Sequence, residues 1–247
     1  MEFVSGEQGR VLDVGCGVGN FLALADKKGW ECWGIDFDRD AIEAGKQTFG
    51  LKNLSVASLE EFSVAHPDLR FDLVTFFDVF EHVDNHNEFL ELVNGMLAPG
   101  GKIALSVPYR HGWRWLMPHD LPPRHLTRWD EQSMENILSR HGFQIAYLKR
   151  LPASLYFITL KFRFKYGAWT SLGLVRKAKK QAAAAQPSLG RSSPPPLRVR
   201  ALHMLAKMKD FVLFGIPALI VWLVLLSTRK RYTDFYVVAQ KVDASVE

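Results

Sequence analysis

Two sets of residues in this chain have the types and spacing to do chemistry. The first is Asp13, the glycines at 15, 17 and 19 with Cys16 among them, and Asp36. Glycines without Cβ atoms let a backbone reverse and approach a ligand closely, and the first amides of a helix beginning near Val18 point into that space. A polar, nucleotide-like cofactor can be held by such main-chain donors. Asp36 stands 17 positions after Gly19, at the end of a short apolar run. An acid there can accept both hydroxyls of a ribose, or it can cap a helix starting near Asp38 or Arg39. The second set is His82 and His125, either of which can take a proton near neutral pH; His111 and His119 are weaker candidates. His82 can instead cap or pack, and His125 can order the proline-rich segment around it. Asp78 suits cofactor binding or shaping of the site better than proton abstraction. No close histidine pair has a second partner at metal-ligand spacing, so no metal is expected.

Alternating elements must position these residues. Val11, Leu12 and Val14 form a buried-strand run before the glycine turn, and Phe21 to Lys28 reads as helix. Strands follow at Glu31 to Asp36, Asn53 to Ala57 and Phe71 to Asp78, the last running directly into Val79-Phe-Glu-His-Val83. Leu97-Ala-Pro-Gly-Gly101 predicts a turn before a strand over Lys102 to Val107. Tyr109 to Trp129 is too irregular for an interior element, and loops beyond strand ends in open α/β sheets shape substrate sites. Asp130 to Gly142 then reads as a capped helix, Phe143 to Arg150 as the sixth strand and Asp234 to Lys241 as the seventh.

The pattern D-V-G-C-G-V-G-N-F, the run Phe71 to Val83 and the L-x-P-G-G turn resemble the class I S-adenosylmethionine (SAM)-dependent methyltransferases. That resemblance implies a doubly wound, Rossmann-like α/β fold with a seven-stranded sheet whose last strand is antiparallel. It also implies SAM as cofactor. Asp13 would help hold its methionine end, with the cofactor lying across Gly15, Cys16, Gly17 and Gly19; Asp36 would take its ribose hydroxyls, Leu59 and Glu60 fall around its adenine, and Phe37 and Asp78 complete the candidate cofactor-binding set. The stretch P-P-x-H-L-T-x-W is similar to a subgroup related to ubiquinone-type O-methyltransferases and to enzymes of bacterial polysaccharide clusters. An NAD(P)-dependent oxidoreductase is the rival enzyme, but the third glycine of its fingerprint falls here on Asn20. A SAM-binding module without catalysis is the other alternative.

The chain has 247 residues, 48% hydrophobic and 23% charged, which is ordinary for a globular protein and argues against wholesale disorder. Two cysteines make no disulfide framework, and the first residues carry no signal-peptide pattern, so a reducing cytoplasm is expected. Only about nine residues precede the first strand, too few for the helices that cover the cofactor in the resembled family. The start is therefore truncated or the cover comes from elsewhere.

The domain expectation is a core over 1–150, an insertion over 151–231 with a linker at 177–196, and a final strand and tail over 232–247. The net charge of +5 is uneven: Lys149 to Arg231 holds 17 Lys and Arg against one acid, Asp210. Phe211 to Ser227 carries no charge, with Pro217 expected to kink it near Gly215. As a helix it falls slightly short of a hydrocarbon core, which leaves an interfacial, re-entrant or two-pass arrangement, or packing on protein. The partners expected are a small-molecule or lipid-linked methyl acceptor and an anionic membrane surface, through 155–175 and 197–231. Nucleic acid fits poorly, because an uncharged helix makes no phosphate contacts. Oligomeric state is not legible.

Overall fold

The computed structural model describes residues 9–111, 125–170, 211–228 and 232–242. The linker expected at 177–196, His119 and most of the segment after Tyr109 lie outside the described residues. The chain divides into two compact units, one comprising 1–112, 119–151 and 232–247, the other 113–118 and 152–231.

In the first unit, the strands are β1 (Arg10–Val14), β2 (Glu31–Asp36), β3 (Asn53–Val56), β4 (Phe71–Phe77), β5 (Leu97–Pro108), β6 (Phe143–Pro152) and β7 (Tyr232–Lys241). They make one seven-stranded sheet in the order β3-β2-β1-β4-β5-β7-β6. Pairs β1 to β5 are parallel, and β7 runs antiparallel to β5, with Leu105 opposite Val237. This bears out the expected Rossmann-like α/β fold. The order reverses at β1 and β4, so their C-terminal ends open a crevice for a ligand.

Alternation along the strands loads both faces of the sheet. Val11, Cys32, Leu73 and Val238 pack on one side with Leu22 and Ile42, from helices α1 (Asn20–Asp26) and α2 (Arg39–Phe49). Leu12, Val14, Val74 and Phe76 pack on the other with Phe62, Leu90 and Met134. Those three come from α3 (Leu59–Ala65), α4 (His86–Met96) and α5 (Glu131–Arg140). Capping chemistry sets the helix starts. The Asp38 side chain accepts the amides of Asp40 and Ala41, and Ser58 with Glu61 and Asp130 with Ser133 close reciprocal capping boxes.

One expectation is corrected. Leu97 to Gly101 is not a separate turn: β5 begins at Leu97, already paired with Phe71, and the register shifts between Phe71 and Leu73 before pairing resumes at Lys102. Gly100 takes φ 66°, so the glycine signal marks an irregularity inside the strand.

The second unit contains α6 (Leu155–Thr170), a π-helical turn over Phe211–Gly215 and α7 (Ile216–Leu226). Where Pro217 was expected to kink the helix near Gly215, the π turn passes directly into α7 with helical backbone at Gly215 (φ −72°, ψ −44°). The π turn ends at Gly215 and Pro217 stands in the first turn of α7. Among the described residues, no helix is long and apolar enough to cross a membrane.

Candidate active site

The glycine turn is held from the side of β2. The amides of Gly15 and Cys16 both donate to the Ile35 carbonyl (2.8 and 3.0 Å), and the Gly17 amide donates to Asp36 Oδ2 (2.7 Å). The other carboxylate oxygen of Asp36 accepts the Asp38 amide (2.8 Å). Asp38, not Asp36, caps α2, which disposes of the capping role for Asp36. Its carboxylate is instead fixed in one rotamer at the end of β2, half-exposed, with lone pairs still available. Gly17 has φ 52°, and a Cβ built there meets nothing within 4 Å among the described residues. The positive φ favours glycine and the open space beside it can admit a ligand. Phe37 follows with its ring 79% exposed.

Asp13 is 4% exposed and accepts a hydrogen bond from Thr75 Oγ1 (2.6 Å), its neighbour across the β1–β4 register. Burial pushes its carboxyl up to about 7, opposed by the Thr75 hydroxyl and reinforced by the charge of Asp36. The native state therefore keeps this proton to higher pH than the unfolded chain does. The stability so gained is complete below the ordinary Asp range, near 4, and is lost as pH rises through about 7. Asp13→Asn keeps an acceptor for Thr75 and removes the titration. Thermal melts of the ligand-free protein between pH 5 and 8 should show wild type falling relative to Asp13→Asn by on the order of 1–4 kcal/mol. Parallel curves would contradict the assignment. Cys16, beside Asp13, is likewise buried and its thiol is pushed up to about 12, chiefly by burial, so it stays protonated.

The remaining cofactor candidates divide by burial. Glu60 is exposed in the first turn of α3, whereas the Leu59 side chain packs into the core. Asp78, just past β4, is exposed and takes φ 54°, a left-handed conformation uncommon outside glycine. Two bonds to β5 hold it there: its amide donates to the Ser106 carbonyl (3.0 Å), and Ser106 Oγ donates to its Oδ1 (2.8 Å).

His82 and His125 come together through backbone contacts. The short 3₁₀ turn Phe80–His82 follows β4 and is anchored by Phe80, fully buried against Phe76, Phe89 and Trp129. The amides of Leu126 (2.9 Å) and Thr127 (3.3 Å) donate to the Glu81 carbonyl, which hangs the second segment on that turn. His86 and Trp129 tighten the arrangement. His86 Nε2 lies 2.9 Å from the Phe80 carbonyl and 3.3 Å from Thr127 Oγ1, and Trp129 Nε1 donates to Thr127 Oγ1 (3.0 Å). The result is an edge-to-face imidazole pair, ring centroids 4.8 Å apart, with His82 exposed and His125 half-buried.

Glu81 completes the group. It is 1% exposed, its Oε2 has no hydrogen-bond partner among the described residues, and burial with the nearby Asp78 and Asp234 charges pushes its carboxyl up to about 7. One ligating atom from each of Glu81, His82 and His125 lies within 4.8 Å of the others. This corrects the reading that no histidine pair has a further partner at ligand distance. His111 lies elsewhere, 3.4 Å from Asp130.

A family model described as a methyltransferase domain matches residues 2–148, more than half of the chain. The chain belongs to this family, in its class I SAM-dependent branch. Among similar methyltransferases are the ubiquinone biosynthesis O-methyltransferases of Nitrobacter winogradskyi and Klebsiella pneumoniae. The first is 30% identical over 150 residues (53% of this chain, 54% of that protein), the second 29% over 112 (44% and 46%). The match therefore spans about half the length of these curated relatives. A SAM-dependent methyltransferase from Archaeoglobus fulgidus shares the fold at TM-score 0.57 and 19% identity, over 97% of this chain and 89% of that one. Phosphoethanolamine N-methyltransferase 2 of Haemonchus contortus, in complex with SAM, does so at 0.59 and 16%, over 98% and 51%.

Within this member of the methyltransferase family, Thr75, Ser106 and Glu81 are residues of the candidate site that sequence reasoning missed. Thr75 and Ser106 sit in apolar strands, where a hydroxyl gives no signal until its partner across the sheet is known. Glu81 stood in plain view beside His82, but an exposed and a buried glutamate read alike in one dimension.

Proposed function

We propose that the chain transfers the methyl group of SAM to a hydroxyl of a small acceptor, with His82 or His125 taking the proton. The carrying observation is the placement of Asp36 against the glycine turn together with an imidazole pair just beyond β4. The residues suit this cofactor: Gly17 opens onto free space, Asp36 keeps acceptor capacity for two hydroxyls, and Phe37, Glu60 and Asp78 are exposed around them. When bound, SAM supplies an electrophilic methyl on a sulfonium. Displacement at that carbon is in line, so the protein's share is to align the acceptor oxygen and remove its proton. Asp13 supports the methionine side from beneath the turn, and Leu59 adds its backbone and core packing at the adenine side.

The acceptor in this reading is lipid-linked and is met at the cytoplasmic face of a membrane. Support comes from 155–231, which the family model does not cover and which combines apolar helices with 15 Lys and Arg against one acid, the rest of the chain being net acidic.

Calorimetric titration separates the enzyme classes. SAM should bind with micromolar affinity and NAD(H) should not; NAD(H) binding with SAM ignored would overturn the proposal. Incubation with methyl-labelled SAM and a bacterial lipid extract should then move label into the organic phase. SAM binding without transfer to the lipid extract or to a panel of soluble phenols would mark a non-catalytic module.

A further inference from the structure

In the second unit, α6 and α7 pack along one narrow seam. Ala153, Ile158, Ala218 and Leu225 are buried there, with Phe162, Val221 and Trp222 beside them, and Trp222 Nε1 donates to the Ala153 carbonyl (3.2 Å). That seam uses only a small part of the apolar surface. Val212, Leu213, Ile216, Leu219, Ile220, Leu223, Val224 and Leu226 are each 40–59% exposed, so the stretch is apolar on the sides facing away from α6 as well. A helix that is apolar all round is ordinarily buried in protein or in lipid. Contiguous exposed patches of this kind mark interaction sites.

A groove of about 310 Å³ runs between α6 and the π turn. Leu155, Phe214, Gly215, Ile216 and Leu219 make its apolar wall, and Thr159 and Arg163 add a hydroxyl and a guanidinium. An apolar slot bordered by a cation matches a hydrocarbon chain attached to an anionic head group. Charge in the sequence points the same way: Lys207 and Lys209 precede the apolar stretch, Arg229, Lys230 and Arg231 follow it, and Asp210 is the one acid between Lys149 and Arg231. Cations at both ends of an apolar helix favour one anionic face, and the 16 residues from Phe211 to Leu226 reach about 24 Å, short of a ~30 Å hydrocarbon core.

We infer that α6, the π turn and α7 form an interfacial docking element for an anionic phospholipid bilayer, lying in the membrane surface, with the groove taking one lipid chain whose phosphate meets Arg163. The inference rests on the lipid-linked reading of the acceptor and supplies its partner surface. Binding draws on burial of the exposed apolar side chains and on attraction between the flanking cations and anionic lipid.

The test uses the full chain with vesicles of phosphatidylcholine alone or mixed with phosphatidylglycerol. The protein should co-sediment with the mixed vesicles, several-fold less with phosphatidylcholine, and progressively less as salt rises. Ile220→Glu with Val224→Glu, both exposed and outside the seam, should lower partitioning at least about 30-fold. Arg163→Glu should lower the preference for phosphatidylglycerol about two- to fivefold, the flanking cations retaining the remainder. SAM affinity, measured on the same samples, should be unchanged in every variant. No vesicle binding with SAM affinity intact would overturn this inference alone, whereas loss of SAM binding in the wild type would overturn the functional reading beneath it. Self-association of the chain, abolished by the Ile220→Glu/Val224→Glu pair in the absence of lipid, would assign the surface to a second copy and equally defeat the inference.

Discussion

Replacing Asp36 by Ala should lower SAM affinity by about 100-fold or more without a comparable loss of fold. The argument begins at β2, whose last residue presents a carboxylate already fixed by the amides of Gly17 and Asp38. A carboxylate that accepts two ribose hydroxyls makes two charge-assisted hydrogen bonds, each worth roughly 1.5–3 kcal/mol. Losing both accounts for the expected factor. The glycine turn itself survives, because Gly15 and Cys16 remain bonded to the Ile35 carbonyl and the β1–β2 register is untouched. Asp36→Asn gives the sharper comparison: it keeps one acceptor and loses the charge, so its affinity should fall between wild type and Asp36→Ala. Calorimetry with SAM measures both variants, and circular dichroism melts of the ligand-free proteins control for folding. An Asp36→Ala protein that binds SAM within about threefold of wild type would remove Asp36 from the cofactor site.

How much of this was legible in the sequence varies with the kind of interaction. The glycine turn was readable because its requirement is local: positive φ at 15, 17 and 19 is a demand that glycine meets and few other residues do. Spacing marked Asp36 as a cofactor candidate, but its anchoring of the turn through the Gly17 amide is a contact across 19 residues and left no trace in one dimension. The start of β5 was misread for a related reason. Pro99 and the glycines after it carry turn chemistry, and only the pairing of Leu97 with Phe71 shows that the sheet absorbs them as an irregular strand start. His82 and His125 were each visible as candidate proton acceptors. Their juxtaposition was not, since 43 positions separate them and the bonds joining their segments run from the amides of Leu126 and Thr127 to the Glu81 carbonyl. Backbone bonds carry no residue signature.

That juxtaposition leads to the second large effect. His82→Ala and His125→Ala should differ: the imidazole that abstracts the acceptor proton should cost about 10²–10⁴ in kcat, and the other only what misplacing its neighbour costs. In both variants SAM affinity should hold, because neither side chain belongs to the glycine turn or the end of β2. Combining the two should cost much less than the product of the single effects, since groups acting as a unit are not additive. Glu81 supplies a readout that mere packing would not move. Its buried carboxyl, pushed up to about 7, ionises in the range where activity should rise, and once ionised it places a negative charge beside the imidazole pair. Glu81→Gln removes that counter-charge while nearly preserving shape. The acid limb of the kcat profile should therefore shift to lower pH, and the ligand-free protein should lose less stability between pH 5 and 8 than wild type does, because the native state no longer retains a proton that the unfolded chain releases. A histidine that only orders its segment predicts something else: lower stability, raised KM and an unmoved pH profile. Full turnover in both single histidine variants, measured with the acceptor that takes up label, would show that the acceptor loses its proton without either imidazole.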